Sequence, residues 1–161
     1  MKIRKSTLKD VDRILEIFAI AKGVMDAQGN TTQWEPGYPG RQVVEQDVEN
    51  GNSYVMEENG KVVGTFGFIL GEDPTYRVIE QGAWHSDKPY GTIHRVASDG
   101  SVKGIARTCF AYGLGKVDYL RVDTHQNNRS MQAAIRRFGF RECGIIHVRD
   151  DSPRIAFDYL K

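Results

Sequence analysis

A short segment between a strand pattern and a helix pattern carries the residue types best suited to chemistry in this sequence. The segment reads Ser101-Val102-Lys103-Gly104-Ile105-Ala106. Residues 92–97 before it are typical of a strand, and apolar residues recur at helical spacing over 102–114. A helix that begins here presents unpaired backbone N–H groups and the positive end of its dipole, and such an end binds phosphate. The segment therefore predicts a local anion site.

Two common nucleotide-binding motifs do not fit this segment. It is too short for the GxxxxGK[ST] phosphate loop, and it lacks the three glycines of a dinucleotide fingerprint. Gly104 would let a ligand approach the backbone closely, and Ala106 would leave the helix start unobstructed. The residues alone leave two interpretations, an ordinary strand–helix turn with a tolerated glycine and a loop that wraps a phosphate-bearing ligand.

The segment resembles the (Q/R)xxGx(G/A) loop of the GCN5-related N-acetyltransferases (GNATs), which wraps the pyrophosphate of coenzyme A. Residues 3–10 resemble the first strand and helix start of that family. Residues 128–140 are similar to its NxxAxxLYxxxGF signature and match it at Asn128, Gly139 and Phe140. The resemblance covers nearly the whole chain, and these matches at family spacing make it specific.

The sequence departs from the family pattern at two positions. Ser101 occupies the usual Gln or Arg place of the loop. Ile135 falls where many members carry a tyrosine that protonates the leaving thiolate. The proton must then come from another group, such as Tyr112 or Tyr119, or from water. Both tyrosines have a plain interpretation as packing aromatics, which we prefer.

The resemblance implies acetyl-CoA as the acyl donor. In the family the pantetheine arm pairs with the strand before the loop like an added β-strand, which carries over to Val96 and Ala97. Lys103 would contact a phosphate, and Asn128 would bond the pantetheine amides or cap its helix. The implied cofactor-binding residues are Val96, Ala97, Ser101, Val102, Lys103, Gly104, Ile105, Ala106, Asn128 and Met131.

Acyl transfer to an amine needs a base with a pKa near neutrality, and three residues are candidates. His94 lies beside the expected thioester, on the same strand face as Val96 if side chains alternate. His125 follows a strand end, where α/β folds often contact ligands. Glu80 neighbours apolar and aromatic residues, which could desolvate its carboxylate and raise the pKa. Their plain interpretations are a packed strand histidine, a helix-start contact and a surface charge.

Aromatic residues gather in the segments that are rich in Gly and Pro. They include Trp34, Tyr38, Trp84, His85 and Tyr90. In the family such segments build the acceptor pocket, so these rings would line a site for a small amine. Packing beneath long loops is the equally weighted alternative.

Composition favours one globular domain spanning residues 1–161. Of the 161 residues 40% are hydrophobic and 27% are charged, and the net charge is +1. So small a charge argues against a nucleic-acid surface. No secretory or membrane segment is expected, because charged residues interrupt the apolar positions of the first helix. A cytoplasmic location follows as the simplest expectation.

No disulfide framework or metal site is expected. Cys109 and Cys143 are the two cysteines, and the four histidines show no metal-ligand spacing with them. Members of the family often form homodimers, so a homodimer is one expected assembly. The expected partners otherwise reduce to a small-molecule amine, with no nucleic acid and no membrane.

The periodicity predicts a mixed α/β fold. Strands are predicted over 2–5, 53–58, 61–70, 92–97, 119–124, 141–148 and 155–160, and helices over 8–24, 41–50, 102–114 and from Asn127 or Asn128 to Gly139. Asn59-Gly60 predicts a tight hairpin, and residues 76–84 are ambiguous. The expected architecture is the GNAT-like one, a mostly antiparallel sheet of six to seven strands with helices on both faces.

The leading functional hypothesis is an acetyl-CoA-dependent N-acetyltransferase. The acetyl group would pass to a primary amine of a small molecule by direct attack in a ternary complex, because no cysteine adjoins a base in the cofactor strand. One alternative is a non-catalytic CoA-binding sensor or interaction module, motivated by Ser101 and Ile135. Another is an O-acyltransferase, which would need a stronger base than the sequence offers.

Overall fold

A computed structural model describes all residues, Met1–Lys161. The fold is a seven-stranded mixed sheet flanked by helices, in the strand order β1-β2-β3-β4-β5-β7-β6, and it confirms the predicted fold class. The strands are β1 (Lys2–Lys5), β2 (Ser53–Glu58), β3 (Lys61–Leu70), β4 (Gly91–Ser98), β5 (Tyr119–Thr124), β6 (Arg141–His147) and β7 (Pro153–Leu160). The helices are α1 (Val11–Ala27), α2 (Arg41–Glu49), α3 (Ile105–Leu114) and α4 (Arg129–Phe138). None of the helices is long and apolar enough to cross a membrane.

The chain divides into two compact units. The first unit comprises Met1–Phe68 and Arg95–Ile105, and the second comprises Ile69–His94 and Ala106–Lys161. Each is described by itself below.

The first unit joins an antiparallel meander to helices α1 and α2. β1 pairs with β2, and β2 pairs with β3 through the predicted hairpin, where Asn59 and Gly60 have φ of 52° and 79°. These values match the left-handed conformation that a two-residue turn requires. The core of this unit consists of buried apolar residues, Val11, Ile14, Ile17, Phe18, Trp34, Val44, Val55 and Ala97.

A capping box and an ion pair fix the start of the first helix. Thr7 N–H donates to the Asp10 carboxylate at 2.7 Å, and a short 3-10 turn, Leu8–Asp10, precedes α1. Arg4 donates to both Asp10 oxygens at 2.8 and 2.9 Å. The bonds from Arg4 outweigh the effect of burial and hold the pKa of Asp10 below its ordinary value.

The second unit is built on β5, β6 and β7. β4 pairs in parallel with β5 at Gly91 and Thr92, and β7 pairs antiparallel with both β5 and β6. Helix α4 begins at an Asn128 cap and ends at Gly139, which has a φ of 117° as predicted for a left-handed cap. Four aromatic rings pack together in this unit, with centroids of contacting rings 4.9 to 5.8 Å apart. They are Phe110, Phe138, Phe140 and Tyr159.

Residues 71–90, which the sequence left partly ambiguous, form an ordered cover rather than a strand. A 3-10 turn, Pro74–Tyr76, is followed by one bridge in which Glu80 and Ile145 exchange two backbone hydrogen bonds of 2.8 Å. The backbones approach closely here, since a Cβ on Gly82 would lie 1.9 Å from the Cys143 carbonyl oxygen. A glycine at position 82 is therefore a packing requirement.

Candidate functional site

The loop that the sequence singled out lies in the first unit, between β4 and α3. Helix α3 begins at Ile105 rather than at the expected Val102. The reason is Gly104, whose φ of 83° lies outside the right-handed helical region. Ser101, Lys103 and Gly104 are exposed, so the loop presents its backbone to ligands at the start of α3.

Asp99 organises this loop from within. One of its carboxylate oxygens accepts the Ser101 N–H at 2.9 Å and the Ser101 hydroxyl at 2.5 Å. The other oxygen accepts Arg13 at 2.7 Å, and Lys61 lies 3.7 Å away. The Ser101 hydroxyl thus shapes the loop and is not directed outward like the longer Gln or Arg of the family pattern.

Two neighbouring cations compensate the charge of Asp99. The Asp99 side chain is 4% exposed, and the two cations are Arg13 and Lys61. Burial acts to raise the pKa of this carboxyl, but bonds from Ser101 and the charges of Lys61 and Arg13 outweigh it and lower the pKa. Sequence reasoning missed Asp99 and Arg13; the Asp-Gly-Ser order at 99–101 is a turn signal that could have revealed the first.

Strand β4 has an irregular backbone at Arg95. Arg95 has a φ of 50°, which a non-glycine residue rarely adopts, so regular alternation of side chains does not continue through it. His94, Arg95 and Val96 are all half-buried, and Ala97 is buried. We expected His94 and Val96 on one face because side chains alternate along a regular strand. The irregular backbone at Arg95 lies between them, so alternation no longer predicts that they share a face.

Arg95 is a candidate site residue that sequence reasoning missed. Its guanidinium donates to Asp47 of α2 at 2.5 and 3.1 Å and to the Tyr38 hydroxyl at 3.4 Å. The Arg95 side chain is 13% exposed. Arg95 and Asp47 border a small recess of the first unit, which is lined by Ile14, Phe18, Val44, Asp47, Ser53, Thr65, Phe66, Gly67 and Arg95.

The two aromatic residues of the 29–40 loop make different contacts. Trp34 is 6% exposed and packs edge-on against Phe18 at 5.4 Å, so it belongs to the core. Tyr38 packs against Trp34 and presents its hydroxyl to Arg95. Of the two, Tyr38 is the ring with a polar role.

The proposed bases of the second unit occupy different environments. His125 is buried, and its Nδ1 accepts the Asn127 N–H at 2.9 Å, which matches its helix-start interpretation. Burial, and then the charge of Arg154, lower the pKa of His125. The Glu80 side chain is 57% exposed and lies 3.5 Å from His147, which matches its plain interpretation as a surface charge.

A carboxylate that does meet the criterion of a raised pKa is Asp123, which sequence reasoning missed. It is half-buried near the end of β5 and accepts the Tyr76 hydroxyl at 2.6 Å. Burial raises its pKa, although the bond from Tyr76 and the charge of Arg154 act in the opposite direction. The signal in the sequence was its position at a strand end, beside His125.

The family signature residues of α4 have clear structural roles. Asn128 is the N-cap, and its side-chain oxygen accepts the Met131 N–H at 3.1 Å. Asn127 therefore does not take the cap. Ile135 is 1% exposed and fills the core where a tyrosine would place a hydroxyl.

A second polar cluster lies within the second unit, under the 71–90 cover. The His85 Nδ1 atom lies 2.7 Å from one Asp158 oxygen and 3.4 Å from the Cys143 sulfur. The other Asp158 oxygen accepts the Tyr119 hydroxyl at 2.7 Å and the His85 backbone N–H at 2.8 Å. Burial, reinforced by Asp158, raises the pKa of Cys143 well above its usual range.

Arg121 completes the surroundings of that cluster. Its guanidinium donates to the Tyr119 hydroxyl at 3.2 Å and to the Ser86 carbonyl at 3.0 Å. It also stacks 4.1 Å from the ring centres of both Trp84 and Tyr90. These two rings, expected to line an acceptor site or to pack, hold a cation of the protein itself.

The fold is that of the acyl-CoA N-acyltransferases, the GNAT fold. It has the expected seven-stranded mixed sheet with flanking helices. An acetyltransferase of the GNAT family from Streptococcus agalactiae 2603 is 28% identical, with a TM-score of 0.90 over 99% of this chain and 95% of that one. The GNAT resemblance seen in the sequence is thereby confirmed.

More distant structures share the fold alone. A ribosomal-protein-alanine N-acetyltransferase from Brucella melitensis is 21% identical, with a TM-score of 0.67 and full coverage of both chains. A GNAT-like decarboxylase, GphF, in complex with isobutyryl-CoA is 13% identical, with a TM-score of 0.69 over 99% of each chain. No protein-family model and no curated protein matches the sequence. The fold supports acyl-CoA-dependent acyl transfer in general.

Proposed function

We propose that this protein is an acetyl-CoA-dependent N-acetyltransferase that acts on a primary amine of a small molecule. The observation that carries the proposal is the exposed loop before α3. Its Gly104 adopts a φ of 83°, and Arg13 and Lys61 compensate the negative charge of Asp99. Backbone N–H groups at a helix start, beside a compensated carboxylate, suit a pyrophosphate.

The loop residues have distinct roles in the proposed cofactor site. The backbone of residues 102–106 cradles the pyrophosphate, Lys103 adds a charge-assisted contact, and Ser101 maintains the loop through Asp99. Val96 and Ala97 offer backbone groups to the pantetheine arm. Asn128 and Met131 of the second unit remain proposed cofactor-binding residues on the family resemblance.

The proposed chemistry is direct attack. A neutral amine adds to the thioester carbonyl carbon, its proton passes to a base, and the C–S bond breaks to release the CoA thiolate, which takes a proton from solvent. His94, His125 and Glu80 remain candidate bases, with His94 the first. Asp123, which is half-buried and accepts the Tyr76 hydroxyl, is added as a second candidate carboxylate.

The small-molecule acceptor in this proposal follows from the family resemblance. The recess lined by Ile14, Phe18, Val44, Asp47 and Arg95 has room for about one water molecule. Because Arg95 and Asp47 also bond to each other, this recess is not assigned to the acceptor.

Thermal-shift and calorimetric titrations with acetyl-CoA, CoA and ATP test the cofactor assignment. A ligand that binds the native state raises apparent stability by about 2.7 kcal/mol at a hundredfold excess over Kd. We expect stabilisation by acetyl-CoA and CoA but not by ATP. Equal stabilisation by all three, or none, would refute the CoA site.

An amine panel with thiol detection then separates an enzyme from the alternative. Ile135 in the core and the inward Ser101 favour a CoA-binding module without turnover as the second candidate. Release of CoA thiol with any amine eliminates that candidate. Tight binding of acetyl-CoA without thiol release across the panel would support it instead.

His94→Ala is expected to lower turnover about 10²–10⁴-fold at saturating acceptor while acetyl-CoA affinity changes little, as for a general base. Asp123→Asn is the matched test of the carboxylate candidate. The measurement is the steady-state rate of thiol release with the amine that the panel identifies. An unchanged rate in His94→Ala removes it from the mechanism.

A further inference from the structure

The His85, Cys143 and Asp158 cluster of the second unit has the composition of a metal site. One ligand atom from each residue lies within 4.8 Å of the other two, although the residues come from the 71–90 cover, β6 and β7. Imidazole, thiolate and carboxylate are the ligand types that zinc takes in proteins. The wide separation in sequence explains why ligand spacing predicted no metal.

We propose that His85, Cys143 and Asp158 bind a divalent ion of the zinc class. The expected ligand atoms are the His85 Nδ1, the Cys143 sulfur and the Asp158 oxygen that faces them. A fourth tetrahedral position then belongs to water, on the side where the His85 ring is 28% exposed.

The distances are close to those that a tetrahedral ion requires. Bonds of about 2.0–2.1 Å to N and O and about 2.3 Å to S put nitrogen and sulfur roughly 3.6 Å apart, and nitrogen and oxygen roughly 3.3 Å apart. The cluster has 3.4 Å between Nδ1 and sulfur and 2.7 Å between Nδ1 and oxygen. One contact must therefore open by about half an ångström, which a rotation of the partly exposed His85 ring provides.

Neighbouring groups already hold the ligands in place. The Asp158 oxygen that does not face the ion is fixed by Tyr119 and by the His85 backbone N–H. Cys143 lies where the pairing of β6 with β7 shifts register, between Glu142 and Gly144. Outer hydrogen bonds of this kind orient first-shell ligands in metal proteins.

Charge balance also favours an ion at this position. The bound thiolate and carboxylate carry two negative charges, which the divalent ion neutralises. On binding, the Cys143 thiol gives its proton to solvent. The proton that His85 Nδ1 donates to Asp158 in the ion-free protein must also leave, so that Nδ1 coordinates while Nε2 carries the ring proton. The neighbouring Arg121 guanidinium donates to Tyr119 and to the Ser86 carbonyl.

Cobalt(II) titration of chelator-treated protein tests the site. We expect one ion per chain, tetrahedral ligand-field bands and a thiolate-to-cobalt charge-transfer band, with displacement by one equivalent of Zn²⁺. Cys143→Ser should remove the charge-transfer band, while the matched control Cys109→Ala keeps it, because Cys109 is buried in α3 away from the cluster.

Three further variants keep the test decisive if Cys143→Ser unfolds. His85→Gln, in the cover, should weaken Zn²⁺ affinity by more than tenfold, whereas His147→Gln should leave it unchanged. Tyr119→Phe should keep the band and weaken affinity by roughly 10–100-fold, as for an outer-shell partner. The proposal would be overturned by the absence of saturable Co²⁺ binding, by a band that survives Cys143→Ser in folded protein, or by an unchanged Zn²⁺ affinity in folded His85→Gln.

Discussion

At the scale of single residues, the loop before α3 depends on backbone conformation more than on side chains. Gly104 is left-handed, and Ser101 is committed to Asp99. The departure from the family pattern at position 101 is therefore compatible with an intact loop. Any anion binding proposed for the loop would rest on backbone N–H groups and on the compensation of Asp99 by Arg13.

Gly104→Ala is predicted to weaken acetyl-CoA binding, and Gly60→Ala is its matched control. Both glycines have a φ near 80°, and an added Cβ meets nothing within 4 Å at either. Each substitution should cost about 1–3 kcal/mol of stability through backbone strain. Calorimetry should show lost affinity in the first variant alone, and equal affinities would contradict the loop assignment.

A second prediction concerns Asp10. Its pKa is lowered in the folded protein, so the stability it contributes is complete above its unfolded pKa and is lost as the pH falls through the folded value. Asp10→Asn should cost about 1–3 kcal/mol at pH 7 and flatten the acid limb of the stability curve.

Denaturant unfolding at several pH values checks this expectation. Asp12→Asn is the control, because Asp12 is 82% exposed in its pair with Arg41 and such pairs contribute little. An acid limb as steep in Asp10→Asn as in the parent protein would contradict the assignment.

At the scale of elements, the 71–90 cover is held by backbone approach to β6. Glu80 bridges Ile145, and Ala83 N–H donates to the Cys143 carbonyl at 2.9 Å. The sequence predicts such a segment poorly. Its bridge joins residues that lie far apart in the chain, and no regular strand forms whose periodicity could be recognised.

Gly82→Ala is predicted to destabilise the protein by more than about 2 kcal/mol. The new Cβ would collide with the Cys143 carbonyl at 1.9 Å, and backbone on both sides must shift. Gly23→Ala is the matched control, since its Cβ meets nothing and Ala is favoured by about 1 kcal/mol within a helix. Thermal unfolding should move in opposite directions, and a neutral Gly82→Ala would refute the close approach.

At the scale of the whole molecule, charge sets the expected partners. With a net charge of +1 the chain lacks the excess of Lys and Arg that releases counterions from nucleic acid. We predict that binding to duplex DNA at physiological salt is weaker than the roughly 10⁻⁴–10⁻⁶ M typical of non-specific binders. Fluorescence anisotropy with a labelled duplex checks this, and micromolar, salt-dependent binding would contradict it.

The sequence by itself determined most of the elements and the glycine turn that precedes α3. Asn59-Gly60, the Asn128 and Gly139 caps and the apolar periodicities are local signals, because turn and cap geometry depend on a few neighbouring residues. The resemblance to GNAT motifs predicted how these elements are arranged in the fold, because the matches extend along nearly the whole chain.

Tertiary structure decided the contacts that join distant segments. The Arg95–Asp47 pair, the Asp99–Arg13 pair and the cluster of His85, Cys143 and Asp158 each unite residues that no spacing rule connects. The left-handed Arg95 likewise follows from its surroundings, because a non-glycine residue takes that conformation only where neighbouring contacts hold it. Local sequence fixes short-range conformation, whereas pairing across the sheet brings chemistry-bearing side chains together.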